Sequence, residues 1–458
     1  MKHSLKYIDL FAGLGGFHIA LSNLGCECVF ASELRDDLRR LYVNNFPEMS
    51  GKTKSGINKV EGDITKVPFE KIPSFDVLCG GFPCQPFSQA GKRQGFNDEK
   101  DRGNLFNYIC EIARIHRPTY IFLENVSNLK GHDAGNTWNV IYHKLSDSFE
   151  KGGLNYEVSH EILSPHQFGI PQHRKRIYIV CKTRESGGLG SFSFPVPNNN
   201  TCDISTIINE TETSIIKIKS ETRQQLDLWQ EFIDQTVKHK DTIPSFPIWA
   251  MEFGATYNFE HSAPAYQELK ELVGRRGHLG RVITEGTRQE VLNQLPVYAR
   301  TDRAEEFPEW KKKYIAQNRA FYHKHKKWLD RWIKKVAQCK NSHLKLEWNC
   351  GINCSPTLED KIIQFRASGI RVKLPTYSPA LNLVGTQLPI FPWINLPNES
   401  INGDEPKKGR YMTIKEAATL QGMSSLTFEG LSTGRSLEAL GNAVNTQVVE
   451  LIAKNLLR

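Results

Sequence analysis

An apolar run, Phe75-Asp76-Val77-Leu78-Cys79, ends at Gly80-Gly81 and passes directly into Phe82-Pro83-Cys84-Gln85-Pro86-Phe87-Ser88. A short run bounded by glycine reads as a buried strand. The prolines beside Cys84 fix φ and remove backbone donors, so the chain must leave that strand in a sharp turn that holds the thiol in one orientation. A cysteine presented in this way is a nucleophile candidate. Structural cysteines lie more often inside elements than in Pro-x-Pro turns.

A second run, Tyr120-Ile121-Phe122-Leu123, stops at Glu124-Asn125-Val126. Ligands of an open parallel sheet bind outside the carboxyl ends of its strands. If the two strands are neighbours, Cys84 and Glu124 meet in one pocket as an attacking thiol and a proton donor or acceptor. Taken alone, a Glu in this place is more often a helix cap or a solvated charge. Near the N-terminus, Tyr7-Ile8-Asp9-Leu10-Phe11 leads through Ala12-Gly13-Leu14-Gly15-Gly16-Phe17 into the helix-like His18-Ile19-Ala20-Leu21. Strand, glycine turn and helix in that order suit a nucleotide-type cofactor, although the spacing is not Gly-x-Gly-x-x-Gly. Glu33 closes the next apolar run, Cys26 to Ala31, where a carboxylate can accept from ribose hydroxyls.

Together these residues resemble the DNA cytosine-5 methyltransferases of the prokaryotic restriction-modification type. Asp9-Leu10-Phe11-Ala12-Gly13-Leu14-Gly15-Gly16 is similar to the family's S-adenosyl-L-methionine loop. Gly62-Asp63-Ile64 is similar to its adenine-contacting turn, and Gly81-Phe82-Pro83-Cys84-Gln85 to its nucleophile loop. Arg102 to Phe106, Glu124-Asn125-Val126, Gln172-His173-Arg174-Lys175-Arg176 and Gly441-Asn442-Ala443-Val444-Asn445 follow in family order. Residues 182–409 are not covered by these shared motifs.

The resemblance implies an α/β fold, a doubly wound and mostly parallel Rossmann-like sheet, with a separate inserted target-recognition domain. The expected divisions are 1–194 for catalysis and cofactor, 195–408 for DNA recognition, and 409–458 returning to the catalytic domain. S-adenosyl-L-methionine would be held by Phe11, Ala12, Gly13, Leu14, Gly15 and Gly16, by Glu33, Leu34, Asp63 and Ile64, and by Pro83, Leu105, Asn442 and Val444. Cys84 would add to cytosine C6 while Glu124 activates ring N3. Arg174 and Arg176 would supply the positive surroundings that a thiol of ordinary pKa, about 8.5, needs in order to react at neutral pH.

A stacked base exposes neither C6 nor its pairing edge, so the target nucleotide must rotate out of the duplex at a cost of a few kcal/mol. Gln85, Ser88, Lys92, Arg93 and Asn125 are the expected base and DNA contacts on the catalytic side. The polar stretch Ser88 to Asn97, with two glycines and adjacent cations, reads equally as a mobile lid and as an ordinary surface loop.

The net charge of +9 is concentrated in one place. Between Arg300 and Lys345 fourteen Lys and Arg stand against five Asp and Glu, which accounts for the whole excess. In that stretch Tyr314, Phe321 and Trp328, like Ile315, Tyr322, Leu329 and Val336, recur every seven residues and mark one long amphipathic helix. Lys311, Lys312, Lys313, Lys324, Lys326, Lys327, Lys334 and Lys335 are then available to phosphates, or form a solvated face. Downstream, Phe365 to Lys373 alternates cations on a flexible backbone. Arg366, Arg371 and Lys373 are DNA-contact candidates there, either reading guanine or touching phosphate.

Cys339-x3-His343-x6-Cys350-x3-Cys354 has the residue types of a zinc site. Its spacing is looser than that of finger ligands and the family's catalysis needs no metal, so none is expected. Ten scattered cysteines, an N-terminus that enters a strand at once, and the lack of any apolar run near the ~20 residues of a membrane span predict a soluble cytoplasmic protein with reduced thiols; a monomer is expected, although none of these features reports on oligomeric state. Its partners are expected to be double-stranded DNA and, functionally, a restriction endonuclease. Two alternatives stand beside this reading. A transfer-RNA cytosine-5 methyltransferase usually has a short recognition region, and a non-catalytic homologue would be expected to lack Cys84 or Glu124.

Overall fold

Parallel strands whose carboxyl ends line up along one edge set the frame of the protein. The computed structural model describes residues 4–83, 105–198, 200–381, 387–397 and 407–458. The chain divides into two units, one made of Met1–Asn209, Thr376–Gly385 and Ile414–Arg458, the other of Glu210–Pro375 and Thr386–Thr413.

In the first unit, β1 (Lys6–Leu10), β2 (Glu27–Ser32), β3 (Val60–Glu61), β4 (Val77–Gly81) and β5 (Tyr120–Val126) run parallel. Two further strands, β6 (Tyr156–Leu163) and β8 (Arg176–Thr183), extend the sheet beyond the short β7 (Gln172–His173). The order is β3-β2-β1-β4-β5-β8-β6, with β8 antiparallel to both of its neighbours. The winding reverses between β1 and β4, the switch point where open sheets of this kind bind ligands. Helices α1 (Gly16–Asn23), α2 (Asp36–Asn45), α3 (Leu105–His116) and α4 (Asn136–Ser146) connect the strands. Ile8, Leu78, Ile121 and Leu123 face Phe106, Ile109 and Ile112 of α3 and Ile141 and Leu145 of α4, all fully buried.

In the second unit, α5 (Ser220–Lys238), the short α6 (Leu269–Leu272) and α7 (Arg288–Asn293), and α8 (Glu309–Val336) accompany a mixed sheet. Its strands are β9 (Ile248–Trp249), β10 (Lys345–Asn349), β11 (Ile362–Arg366) and β12 (Gly369–Lys373), followed, after β13 (Ser378–Pro379), by β14 (Pro389–Asn395) and β15 (Lys408–Tyr411). The order is β15-β14-β11-β12-β10-β9, while β13 pairs with β7 in the first unit. The seven-residue stripe read from the sequence lies on α8, where Ile315, Phe321, Tyr322, Trp328, Leu329 and Val336 are buried. The helix is interrupted at His325 (φ −114°, ψ 19°), whose Nε2 lies 2.7 Å from Asp241 Oδ2.

The chain then returns to the first unit through α9 (Ile414–Leu420), α10 (Thr433–Asn442) and α11 (Thr446–Leu456). Asn445 caps α11 by accepting from the Val448 N–H at 3.1 Å. Val448, Val449, Ile452 and Leu456 then face Tyr7, Phe122 and Val180 of the sheet and Phe17 and Leu21 of α1. Each such side chain contributes about 1.5–3 kcal/mol on burial, enough to fasten this late segment beside the first strand. Helices therefore cover both faces of a mostly parallel sheet. Among the described residues no helix is long and apolar enough to cross a membrane.

Candidate active site

After β1 the chain turns through left-handed backbone at Phe11 (φ 58°), Gly13 (54°) and Gly15 (81°). A non-glycine residue held there costs about 1–2 kcal/mol, so the loop geometry is enforced by its surroundings. Glu33, at the end of β2 and nearly buried, accepts from the Gly13 N–H through Oε2 and the Arg35 N–H through Oε1, each at 2.9 Å. The space over Gly13 is open, with no atom within 4 Å of where a Cβ would stand. At Gly16 the opposite holds, because a Cβ would come 2.4 Å from Val444 Cγ2. Leu14 is buried and Ala12 nearly so, while Leu34 is 70% exposed. Asp63 accepts from the Thr65 N–H at 3.1 Å and the Thr65 hydroxyl at 2.7 Å, which lowers its pKa, and Ile64 beside it is buried.

Beneath this loop lies Asp9, 1% exposed, with neither carboxylate oxygen in an aligned hydrogen bond. Burial, and then the Glu33 charge, push its pKa well above the ordinary carboxyl value. In the sequence Asp9 stands out only as part of the motif from Asp9 to Gly16. Its position as an inward-pointing acid in an otherwise apolar strand was the signal available.

Glu124 lies inside β5 rather than after it, directly opposite Gly81 in the parallel register. A Cβ on Gly81 would stand 3.4 Å from Glu124 Oε2 and 3.6 Å from Val444 Cγ1. The start of the cysteine loop, the acid and the C-terminal motif thus share one spot. Glu124 Oε1 is 2.9 Å from Arg176 Nε, a charge contact without hydrogen-bond alignment. Burial has the largest effect on the Glu124 carboxyl and raises its pKa, while Arg176 and Arg174 draw it back down. Asn125 is buried, and its Nδ2 donates to the Phe82 carbonyl at 2.9 Å, so its amide steadies the stem of the cysteine loop. Pro83 is exposed, and Leu105, half-buried, begins α3. Cys84, Gln85, Ser88, Lys92 and Arg93, and with them the lid expectation, fall outside the described residues.

Arg174 is placed differently from Arg176. It is 2% exposed, and Nη1 and Nη2 donate at 2.8 Å to the carbonyls of Gly441 and Ala443. Its own N–H donates to Ser164 Oγ at 2.9 Å. Burial brings its pKa down to about 10. With both terminal nitrogens committed, Arg174 acts as a tie that positions the exposed Asn442 and the buried Val444. A partner 267 residues away leaves no local trace in the sequence.

In the second unit the candidate cations are mostly paired with acids. Glu347 takes Arg366 Nη2 on Oε1 at 2.7 Å and Arg371 Nε on Oε2 at 3.3 Å. Lys373 is half-buried, and burial together with Arg371 holds it down to about 8. On α8, Lys311 is not available to phosphate: it is buried over the Phe307 ring at 3.7 Å, and burial pushes it to about 8. Lys312, Lys324, Lys326 and Lys335 pair with Glu306 and Glu309, Asp241, Asp330 and Glu231. Lys313, Lys327 and Lys334 are exposed. Glu347 was missed in the sequence, although the alternation Lys345, Glu347, Asn349 puts it on one strand face with period two. Among the described residues no three His, Cys, Asp or Glu side chains gather as a metal site, and His343 packs edge-on against Phe365 at 5.1 Å.

A family model for C-5 cytosine-specific DNA methylases matches residues 5–458. The Type II methyltransferase M.DsaV of Dactylococcopsis salina is 37% identical over 284 residues, covering 62% of this chain and 74% of that protein. M.HhaI of Haemophilus parahaemolyticus is 39% identical over 233 residues, covering 51% of this chain and 64% of that protein. M.AluI of Cellulosimicrobium cellulans aligns along the whole chain and 93% of its own length at 29% identity. From β1 to α11, the chain belongs to the family of C-5 cytosine-specific DNA methylases.

Proposed function

We propose that this chain methylates C5 of a cytosine extruded from a specific double-stranded DNA sequence, through a transient bond from Cys84 to C6. The observation that carries the reading is Glu124. It is buried and paired with Arg176, its carboxyl is raised by that burial, and it stands opposite Gly81, three residues before Cys84.

On this reading the Cys84 thiolate forms the S–C6 bond as the ring electrons move toward N3, where the raised Glu124 carboxyl places its proton. Arg176 holds that carboxyl in place and balances its charge when the proton has left. S-adenosyl-L-methionine supplies the methyl group, as a sulfonium, when bound. Transfer of the C5 proton to a water molecule then leaves its electron pair to restore the C5–C6 double bond and expel Cys84 as a thiolate, while the N3 proton returns to Glu124. The open space over Gly13, the exposed Leu34 and the braced Glu33 fit a nucleoside-bearing methyl donor. Phe11 to Gly16, Asp63, Ile64, Pro83, Leu105, Asn442 and Val444 complete that assignment. The names of the relatives, Type II methyltransferases, support a further step, that methylation by this chain shields host DNA from a companion endonuclease; a cytoplasmic location and a monomeric state belong to the same proposal.

A duplex containing 5-fluorocytosine, incubated with S-adenosyl-L-methionine, should trap a covalent adduct at Cys84, because fluorine cannot leave as the C5 proton does. Cys84→Ser should abolish both adduct and turnover. Bound duplex and cofactor without any adduct would sink the covalent route. Label transferred to transfer RNA and not to duplex DNA would overturn the substrate.

A further inference from the structure

We propose that Arg371 reads the edge of one guanine in the DNA target, and that Glu347 is the positioning residue that aims it; the inference rests on the DNA-methylating reading above. The second unit's sheet has two unlike faces. Leu346, Trp348, Ile363, Phe365, Ile370 and Val372 are buried in the core. Lys345, Glu347, Arg366, Arg371 and Lys373 lie on the other face, four cations set against one carboxylate, beside the buried Ile362 and Gln364 of β11.

Glu347 and Arg371 are direct cross-strand partners of β10 and β12, so their pairing is fixed by register and not by a chance rotamer. Arg366 is only 11% exposed and holds the far oxygen of Glu347, which leaves the near oxygen to Arg371. Arg371 is 34% exposed and is the arginine that reaches solvent. Its Nε lies on Glu347, and Nη1 and Nη2 have no partner among the described residues. That end of a guanidinium presents two parallel donors, the complement of guanine O6 and N7 in the major groove.

A phosphate also offers two acceptors, and the arrangement disfavours it. Phosphate contact needs charge and little orientation, whereas a carboxylate 3.3 Å from Nε subtracts charge and adds orientation. Lys345 is turned aside, with its ammonium 4.7 Å from the Tyr298 ring centroid and 5.1 Å from that of Trp249.

The test compares the full-length enzyme with Arg371→Ala, Arg371→Lys and Glu347→Gln on duplexes randomised around the modified cytosine, read by bisulfite sequencing. Matched thermal unfolding curves establish that each variant is folded. Wild type should require guanine at one position. There Arg371→Ala and Arg371→Lys should both lose about 10- to 100-fold in discrimination, with other positions unchanged. Lysine keeps the charge and loses the fork, so it separates base reading from phosphate contact. Glu347→Gln should relax the same position by a smaller factor and add nothing on an Arg371→Ala background. A uniform slowing on all sequences, or full discrimination in Arg371→Lys, would overturn the inference while leaving the methylation reading intact. A wild type that modifies no duplex would remove both.

Discussion

The two units hold their functional charges by different means. In the first, the main chain does it: Glu33 takes the N–H groups of Gly13 and Arg35, and Arg174 clasps the carbonyls of Gly441 and Ala443. In the second, side chains hold one another, with Arg366 and Arg371 sharing Glu347, and Lys324, Lys326 and Lys335 of α8 paired to nearby acids. A charge anchored to backbone cannot move unless an element moves, which suits a site whose reacting atoms need fixed positions. Lys324, Lys326 and Lys335, each more than half exposed, can trade their acids for a phosphate by a rotamer change, since exposed pairs of this kind are worth little. The backbone-anchored charges are built for geometry and the exposed lysines of α8 for exchange.

The strongest way to break this contrast is Arg174→Met. It leaves two buried carbonyls without donors, at about 1–3 kcal/mol each, so urea unfolding should show a loss of about 2–6 kcal/mol together with weaker cofactor binding. A variant as stable as wild type would mean that the tie is dispensable. Asp9→Asn probes the same anchored region through pH. Asp9 is raised in the folded chain, so its contribution is fully present below the ordinary carboxyl range and is lost as pH climbs through the raised value. The substitution should flatten that decline, by up to about 1.4 kcal/mol per pH unit, in unfolding curves measured from acid to neutral pH.

Gly16→Ala is expected to cost about 1–3 kcal/mol through overpacking against Val444, and Gly16→Ala with Val444→Ala should recover part of it. Additive losses in that double-mutant cycle would show that the two residues do not compete for one space. The smallest effect belongs to the second unit. Lys324→Ala and Lys335→Ala should leave the urea midpoint unchanged and weaken DNA binding equally on all sequences, with a shallower salt dependence. A clear loss of stability would place those pairs among the fixed anchors.

Much of the first unit was legible because its signals are local. Strand, glycine turn and helix follow one another from Tyr7 to Leu21, and Gly81 and Glu124 each sit at or near the end of an apolar run. The seven-residue stripe of α8 was legible for the same reason. Pairing was not. Counting fourteen cations between Arg300 and Lys345 said nothing about Asp241 or Glu231, which neutralise Lys324 and Lys335 from other elements. Arg174 read as a charge near the nucleophile because motif order gives proximity and not direction. Its carbonyl partners lie more than 260 residues away.

The packing of Val444 against Gly16 has a bearing on biosynthesis. The loop at Phe11 to Gly16 leaves the ribosome early, yet the side chain that closes against it and the helix that backs it follow only after the whole second unit has been translated. A nascent chain therefore carries an unfinished loop, and the release of residues 441–456 works as a built-in delay that ties its closure to completion of the second unit.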